Sequence, residues 1–460
     1  MFRLMLHKID KSLTEDEKTE AIKSITETYD RGKIHYNSGT KRICENCNQE
    51  CLATLFCEYC VRNYLKAKFS NWMSGNDNID NLIQKCQSET LLPSKIIEWI
   101  PYNNLQNIEY LTEGGFSKIY TAIWIDGYYI EWDSKKQQLK RFGEQEVILK
   151  KLENVENASN SWFEEAKSHL TISNKWPRIV NCYGLTQDPS NGNFMLVLKK
   201  MDLNLREYLQ QNHNRLTWKE RIQITFNIIY ALDDIHVEGA IHRDLHSGNI
   251  LYEKREQNWY ISDFGFCGPA DKSLKSIYGN LPYIAPEVIA GKQATKSSDI
   301  YSFAMLMWEI SSGQPPFLNC KHDYDLILNI INGIRPRIVS GTPLEYESLM
   351  KQCWDADPLK RPMLIYTFFV AFYSKYSKSY DDFQIPDNID DFNKSSNWKN
   401  NSTSKMSSIF KANSKDAQND YEIETMQQQI KNINLEDENE IHNNPNLHSE
   451  EQDESEIPES

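Results

Sequence analysis

Residues 241–249 read Ile-His-Arg-Asp-Leu-His-Ser-Gly-Asn, and fourteen residues after Asn249 comes Asp263-Phe264-Gly265. Moving a phosphoryl group takes a carboxylate to orient the attacking hydroxyl, and separate oxygen ligands to hold magnesium on the phosphates. Asp244 is of the right type for the first task, and Asn249 and Asp263 for the second. A lone His-Arg-Asp is most often a charged turn. The second motif at this spacing is what makes the pair specific.

Together these motifs resemble the eukaryotic protein-kinase family, and the resemblance runs in the correct order over residues 105–376. Upstream, Val147-Ile148-Leu149-Lys150 stands where the family has its third-strand lysine. This implies a catalytic role for Lys150 on the ATP phosphates. Its implied partner on the next helix is Glu165, with Glu164 the neighbour that could be confused with it. Thr112, Glu113, Gly114, Gly115, Phe116, Ser117 and Ile119 align with the glycine-rich phosphate loop. Leu198 matches the residue guarding the adenine pocket, and Lys199 to Met201 match the hinge that bonds adenine. Downstream follow Ala285-Pro286-Glu287, Asp299, Cys353-Trp354 and Arg361-Pro362, with Glu287 and Arg361 implied as a buried structural ion pair. The implied fold is α+β and two-lobed, a strand-rich N-lobe followed by a helical C-lobe. ATP and magnesium are the implied cofactors, Asp244 the implied catalytic base, and a protein the implied substrate.

Several positions depart from the family pattern. Thr112 and Ser117 replace the first and third loop glycines, leaving Gly114 as the middle one, so close backbone approach to phosphate must be made with side chains present. Ile148 takes the place of a small alanine over the adenine ring. His246 sits where serine/threonine kinases carry lysine and Asn280 where they carry threonine, yet neither fits the tyrosine-kinase pattern. Tyrosine-kinase-like serine/threonine kinases, including fungal members with a short cysteine motif ahead of the kinase domain, look like the nearest group. The acceptor therefore leans toward serine or threonine. The alternative is a pseudokinase or nucleotide-binding signalling scaffold; the presence of Lys150, Glu165, Asp244, Asn249 and Asp263 argues against it. An arginine at the Arg243 position belongs, in the family, to a basic pocket for an activation-loop phosphate, which makes Ser273 and Ser276 the candidate regulatory sites.

Outside the kinase-like region the chain changes character. Residues 1–43 are charged, with a helical stripe of Ile22, Ile25 and Tyr29 behind a Thr14–Glu17 capping-box spacing. Residues 44–60 hold five of the ten cysteines, with Cys44-x2-Cys47 and Cys57-x2-Cys60 spaced as two knuckles able to close a tetrahedral zinc site, and Cys51 between them. Such a knuckle could dock a protein partner. Residues 61–104 read as a helical linker. The 394–460 tail is rich in Asn, Ser, Gln and acid and reads as disordered, its last 25 residues carrying ten acidic side chains and no Lys or Arg. Much of the net charge of −14 sits there, and it disfavours a nucleic-acid partner bound by neutralising phosphates. No run approaches the roughly 20 apolar residues of a membrane span, and no signal-peptide core develops. The reading places the protein inside the cell, in the cytoplasm.

Overall fold

The computed structural model describes residues 14–114, 117–152, 161–173, 175–265, 268–269, 280–318, 320 and 324–362. Gly115, Phe116, Ser273, Ser276, the 363–376 end of the kinase-like region and the 394–460 tail lie outside the described residues. The chain divides into two units. The first comprises Met1–Leu203, Tyr230–Glu238 and Ile250–Gly268; the second comprises Asn204–Ile229, Gly239–Asn249 and Pro269–Ser460.

The first unit opens with helix α1 (Glu15–His35). Its start is a reciprocal capping box, in which the Thr14 N–H donates to Glu17 Oε2 (2.7 Å) and the Glu17 N–H to Thr14 Oγ1 (3.3 Å). The buried face is not the Ile22 stripe: Ile22 is 45% exposed, while Thr26, Asp30 and Lys33 turn inward. The partner explains the choice. Asp30 Oδ2 accepts the backbone N–H groups of Thr54 (2.6 Å) and Leu55 (2.9 Å), and Lys33 lies 3.0 Å from Asp30 Oδ1. A loop offering unpaired amides calls for a carboxylate, not for a leucine.

That loop belongs to the cysteine segment, where hairpin strands β1 (Arg42–Ile43) and β2 (Glu50–Cys51) precede α2 (Glu58–Lys66). Helix α3 (Asp77–Ser88) follows, with the Asn76 side chain accepting from the N–H groups of Asn78 and Ile79. Val61 and Leu65 pack with the cysteines, and Ile79, Ile83 and Cys86 pack into a separate core. Residues 61–104 thus supply core, beyond connecting two parts.

Next come β3 (Glu98–Trp99), β4 (Leu105–Gly114), β5 (Ser117–Trp124), the hairpin β6 (Tyr129–Asp133) and β7 (Gln138–Arg141), β8 (Gln145–Lys151), helix α4 (Ser161–Ile172), β9 (Cys182–Gln187) and β10 (Phe194–Lys199). Six of these strands form one sheet in the order β3-β9-β10-β8-β5-β4, with β3–β9 parallel and the other pairings antiparallel. The register sets Ile119 and Leu196 on either side of Lys150, and Leu198 beside Ile148. Alternation sends Val147 and Leu149 into a core with Ala122, Trp124, Met195 and Val197, so Ile148 and Lys150 emerge on the opposite face. Leu185 and Leu196 pack there with Ala166 and Leu170 of α4, which are backed in turn by Ile79 and Ile83 of α3. The unit ends with hairpin β11 (Ile250–Glu253) and β12 (Asn258–Ile261), whose Ile261 exchanges main-chain bonds with Arg178 and Val180 and so fixes the approach to Asp263.

The second unit is helical: α5 (Leu205–Asn212), α6 (Trp218–Val237, divided between the units after Ile229), the single turn α7 (Pro286–Ile289), α8 (Lys296–Ser312), α9 (Tyr324–Ile331) and α10 (Leu344–Cys353). Thr217 and Glu220 close a capping box on α6. Helix α8 is enclosed along most of its length, every residue from Ser298 to Ser312 being buried. It is the central helix of its unit, and left-handed Gly313 ends it. A strand-rich N-terminal half and a helical C-terminal half make up the α+β architecture that the resemblance implies.

Candidate active site

Strand alternation places Lys150 under α4, and one turn of that helix supplies its partner. Lys150 Nζ lies 2.9 Å from Glu165 Oε1 and 2.6 Å from Asp263 Oδ1. Glu164 points elsewhere, 3.6 Å from Lys167. Lys150 is only 7% exposed. Burial opposes its charge, but Asp263 and Glu165 outweigh that and hold the ammonium above its ordinary range. At Asp263, burial likewise opposes ionisation and is outweighed by the Lys150 charge, which keeps the carboxyl well below the usual carboxylate range. The backbone of Asp263 is left-handed (φ 60°), and its Oδ1 also accepts the Gly265 N–H at 3.0 Å. An ionised carboxylate carried on an unusual backbone conformation is suited to a hard divalent cation.

In the second unit, Asp299 in the first turn of α8 shapes the segment around Asp244. Its Oδ2 and Oδ1 accept the main-chain N–H groups of His242 (2.8 Å) and Arg243 (2.9 Å), and Arg243 is left-handed (φ 70°). A buried carboxylate thereby stabilises a backbone turn that arginine rarely adopts. Asn249 Nδ2 donates to the main-chain oxygen of Asp244 (2.9 Å) and to its Oδ2 (3.3 Å). The amide nitrogen being committed to Asp244, the Asn249 oxygen is the atom of the right kind for magnesium. His246 accepts the Gly248 N–H on Nδ1 (3.1 Å), with Nε2 3.7 Å from Asp244 Oδ2. Lower in the unit, Arg361 grips Glu287 with two bonds of 2.6 and 2.7 Å, both side chains buried.

The phosphate-loop positions fall on the β4–β5 hairpin, where Gly114 pairs with Ser117, Glu113 with Lys118 and Thr112 with Ile119. Thr112 and Glu113 are exposed. Leu198 and Ile148 are neighbours across β10 and β8, and Met201 follows β10, partly buried.

The cysteine segment brings together four thiols, those of Cys44, Cys47, Cys57 and Cys60, all within 4.8 Å of one another. The Cys44–Cys60 and Cys47–Cys57 separations are 3.8 and 3.6 Å, close to the sulfur spacing of roughly 3.8 Å set by a tetrahedron of ~2.3 Å metal–sulfur bonds. This donor set could hold a metal ion. Cys51, buried nearby, is not one of the four. The Cys47 backbone N–H draws the Cys44 thiol down to about 7, while burial pushes Cys57 and Cys60 up.

Sequence reasoning overlooked His169. Its Nε2 accepts the backbone N–H of Phe264 at 3.2 Å, and its ring meets the Phe264 ring edge-on. The Glu165-to-His169 spacing of one helical turn was the available signal, since it places both on the same helix face.

Comparison with known proteins agrees with this geometry. The family profile described as protein tyrosine and serine/threonine kinase matches residues 105–367, more than half of the chain. The dual serine/threonine and tyrosine protein kinase of Homo sapiens is 33% identical over 199 residues, covering 41% of this chain and 21% of that protein. Its counterpart in Pimephales promelas is 32% identical over 199 residues, covering 41% and 22%. A putative serine/threonine-protein kinase/receptor of Acanthamoeba polyphaga mimivirus is 32% identical over 176 residues, covering 37% and 11%. The match thus spans about a fifth or less of these relatives' length. With the family profile spanning five of the six sheet strands, both motif segments and the Glu287–Arg361 pair, the chain belongs to the protein tyrosine and serine/threonine kinase family.

Proposed function

We propose that this chain is an ATP-dependent protein kinase that transfers the γ-phosphate to a protein hydroxyl, serine or threonine in preference to tyrosine. The observation that carries the reading is the Lys150–Glu165–Asp263 cluster, one buried ammonium held between two carboxylates. Mg-ATP, when bound, supplies the phosphoryl group that is transferred. Lys150, oriented by Glu165, binds the phosphates; Asp263 and Asn249 offer the oxygens for magnesium. Asp244 orients the acceptor hydroxyl and takes its proton, with the Asn249 amide holding its carboxylate in place. Thr112, Glu113, Gly114, Gly115, Phe116, Ser117 and Ile119 cover the nucleotide, and Leu198 and Met201 border the adenine.

Acceptor choice rests on His246 and Asn280, which match neither acceptor class, and on relatives named as dual serine/threonine and tyrosine kinases. The tyrosine-kinase-like group remains the reading for this chain. We assign zinc to the four-thiol set, because thiolates at this spacing favour a closed tetrahedral site. A protein partner for the cysteine segment, activation by phosphate on Ser273 or Ser276 near Arg243, and a cytoplasmic location complete the proposal. Among the described residues no helix is long and apolar enough to cross a membrane.

The test is purified full chain with radiolabelled Mg-ATP and a generic protein acceptor, read by phosphoamino-acid analysis. Labelled phosphoserine or phosphothreonine is expected. Tight nucleotide binding with no label transferred would replace the enzyme reading by the nucleotide-binding scaffold.

A further inference from the structure

Lys95 ends a short 3-10 turn, Pro93–Lys95, that leads into β3. Its chain neighbours Leu92, Pro93, Ile96 and Ile97 are buried, and Lys95 itself is partly buried. Its Nζ donates to the side-chain oxygen of Asn181, a neutral group, and among the described residues no carboxylate pairs with it. The acids of that neighbourhood serve another cation. Glu253 and Glu256 lie 2.6 and 3.8 Å from Lys199 Nζ, and the Tyr260 hydroxyl donates to both. Asn181 is held in place by its main chain, whose oxygen accepts the Lys199 N–H at 2.9 Å. The charges that act on Lys95 are therefore two cations, Arg31 of α1 and Lys199 of β10, against one acid, Glu256 in the β11–β12 turn.

An ammonium withdrawn from water, next to like charges and with only an amide for company, is driven to give up its proton. Burial, reinforced by Lys199 and Arg31 and opposed by Glu256, draws the Lys95 amine down to about 7. An ordinary lysine is uncharged to only about 0.04% at pH 7, so the gain in free amine is roughly a thousandfold. Lys23, Lys33, Lys150 and Lys199 differ, each being bound to a carboxylate.

We propose that Lys95 is a site of covalent acylation by a small acyl thioester. Its uncharged Nζ attacks the thioester carbonyl, an N–C bond forms as the C–S bond breaks, the thiolate leaves, and the surplus amine proton passes to solvent. The product keeps one N–H for Asn181 and carries no charge. Modification here breaks no ion pair, whereas at Lys23, Lys33, Lys150 or Lys199 it would break one. Partial burial limits the group to a small one such as acetyl.

The test is the initial rate of acetylation of each lysine in the full chain, with the acetyl thioester of N-acetylcysteamine as the probe. Rates are read by peptide mass spectrometry between pH 6 and 9. At Lys95 the rate is expected to level off above about pH 7.5, while at exposed lysines it keeps rising about tenfold per pH unit. Asn181→Asp places a carboxylate at the bonded atom, restores the ammonium, and should slow Lys95 acetylation at pH 7.5 by roughly tenfold. Should that variant fail to fold, the parental pH profile decides alone. No acetyl group at Lys95, a Lys95 rate that climbs in parallel with exposed lysines to pH 9, or a folded Asn181→Asp variant that reacts as fast as the parent would overturn the proposal.

Discussion

Glu165 Oε1 stands 2.9 Å from the Lys150 ammonium, joining helix α4 to strand β8. The ammonium is almost fully buried, and Asp263 approaches it more closely still, at 2.6 Å. Two carboxylates therefore share one cation, and the three side chains respond to substitution unequally.

Replacing Lys150 by Met leaves Glu165 and Asp263 without the charge between them. Phosphate transfer is expected to fall by roughly two to three orders of magnitude, since a charged phosphate contact and its orientation are lost together. Glu165→Gln should cost less, roughly ten- to a hundredfold, because Asp263 still holds the lysine. Steady-state kcat/KM for ATP checks both, and a glutamine variant as impaired as the methionine one would contradict the sharing.

Glu287 and Arg361 test the helical unit apart from the chemistry. Arg361 is essentially inaccessible and also bonds the main-chain oxygens of Asp355 and Ser297. Glu287→Gln strands a buried guanidinium, and the expected loss of stability is about 3–5 kcal/mol by urea denaturation. A loss under about 1 kcal/mol would mean that the pair is not needed for folding.

What the sequence revealed, and what it concealed, follows from the kind of partner each residue has. Capping boxes at Thr14–Glu17 and Thr217–Glu220 are local, and both helices begin where the spacing places them. The Lys150 and Asp263 neighbourhood was legible as motif. The core face of α1 was not, because Asp30 faces backbone amides of a loop more than twenty residues away, and no hydrophobic periodicity encodes that. Helix α8 is the opposite case: its serines and Asp299 are polar yet enclosed, Ser302 donating to the Tyr283 main chain and Asp299 accepting from His242 and Arg243. His169 escaped notice because its partner is a main-chain N–H, which leaves no trace in residue type.

Asp234 gives a pH test. Burial pushes its carboxyl up to about 7, against the pull of Arg31 and Arg178, with Asp233 and Glu238 adding to the rise. The unfolded chain titrates near the ordinary value of ~3.9. A raised folded pKa means that the stability associated with the bound proton is full below about pH 4 and is lost progressively as pH rises to about 7. Asp234→Asn should therefore gain on the parent as pH rises, its relative stability about 2 kcal/mol greater at pH 8 than at pH 5.5. Chemical denaturation at the two pH values measures it; no change in the difference between variant and parent would show that Asp234 is charged throughout.

For the thiol cluster, protein purified without added metal is expected to contain about one zinc per chain. A Cys44→Ser/Cys47→Ser variant should lose it. The thiols share a core with Tyr129, Trp132 and Leu139 of the β6–β7 hairpin, so the melting temperature of the full chain should fall as well. Equal metal content in variant and parent would remove these cysteines as ligands.

Asp244 carries the central claim, and Asp244→Asn is its most direct test. The substitution preserves shape and leaves Lys150, Glu165 and Asp263 intact. Measured side by side on parent and variant, the affinity for an ATP analogue with magnesium should be unchanged within about threefold, while the rate of phosphate transfer to a protein acceptor falls by roughly two to four orders of magnitude. An asparagine variant that transfers phosphate at the parental rate would contradict the account.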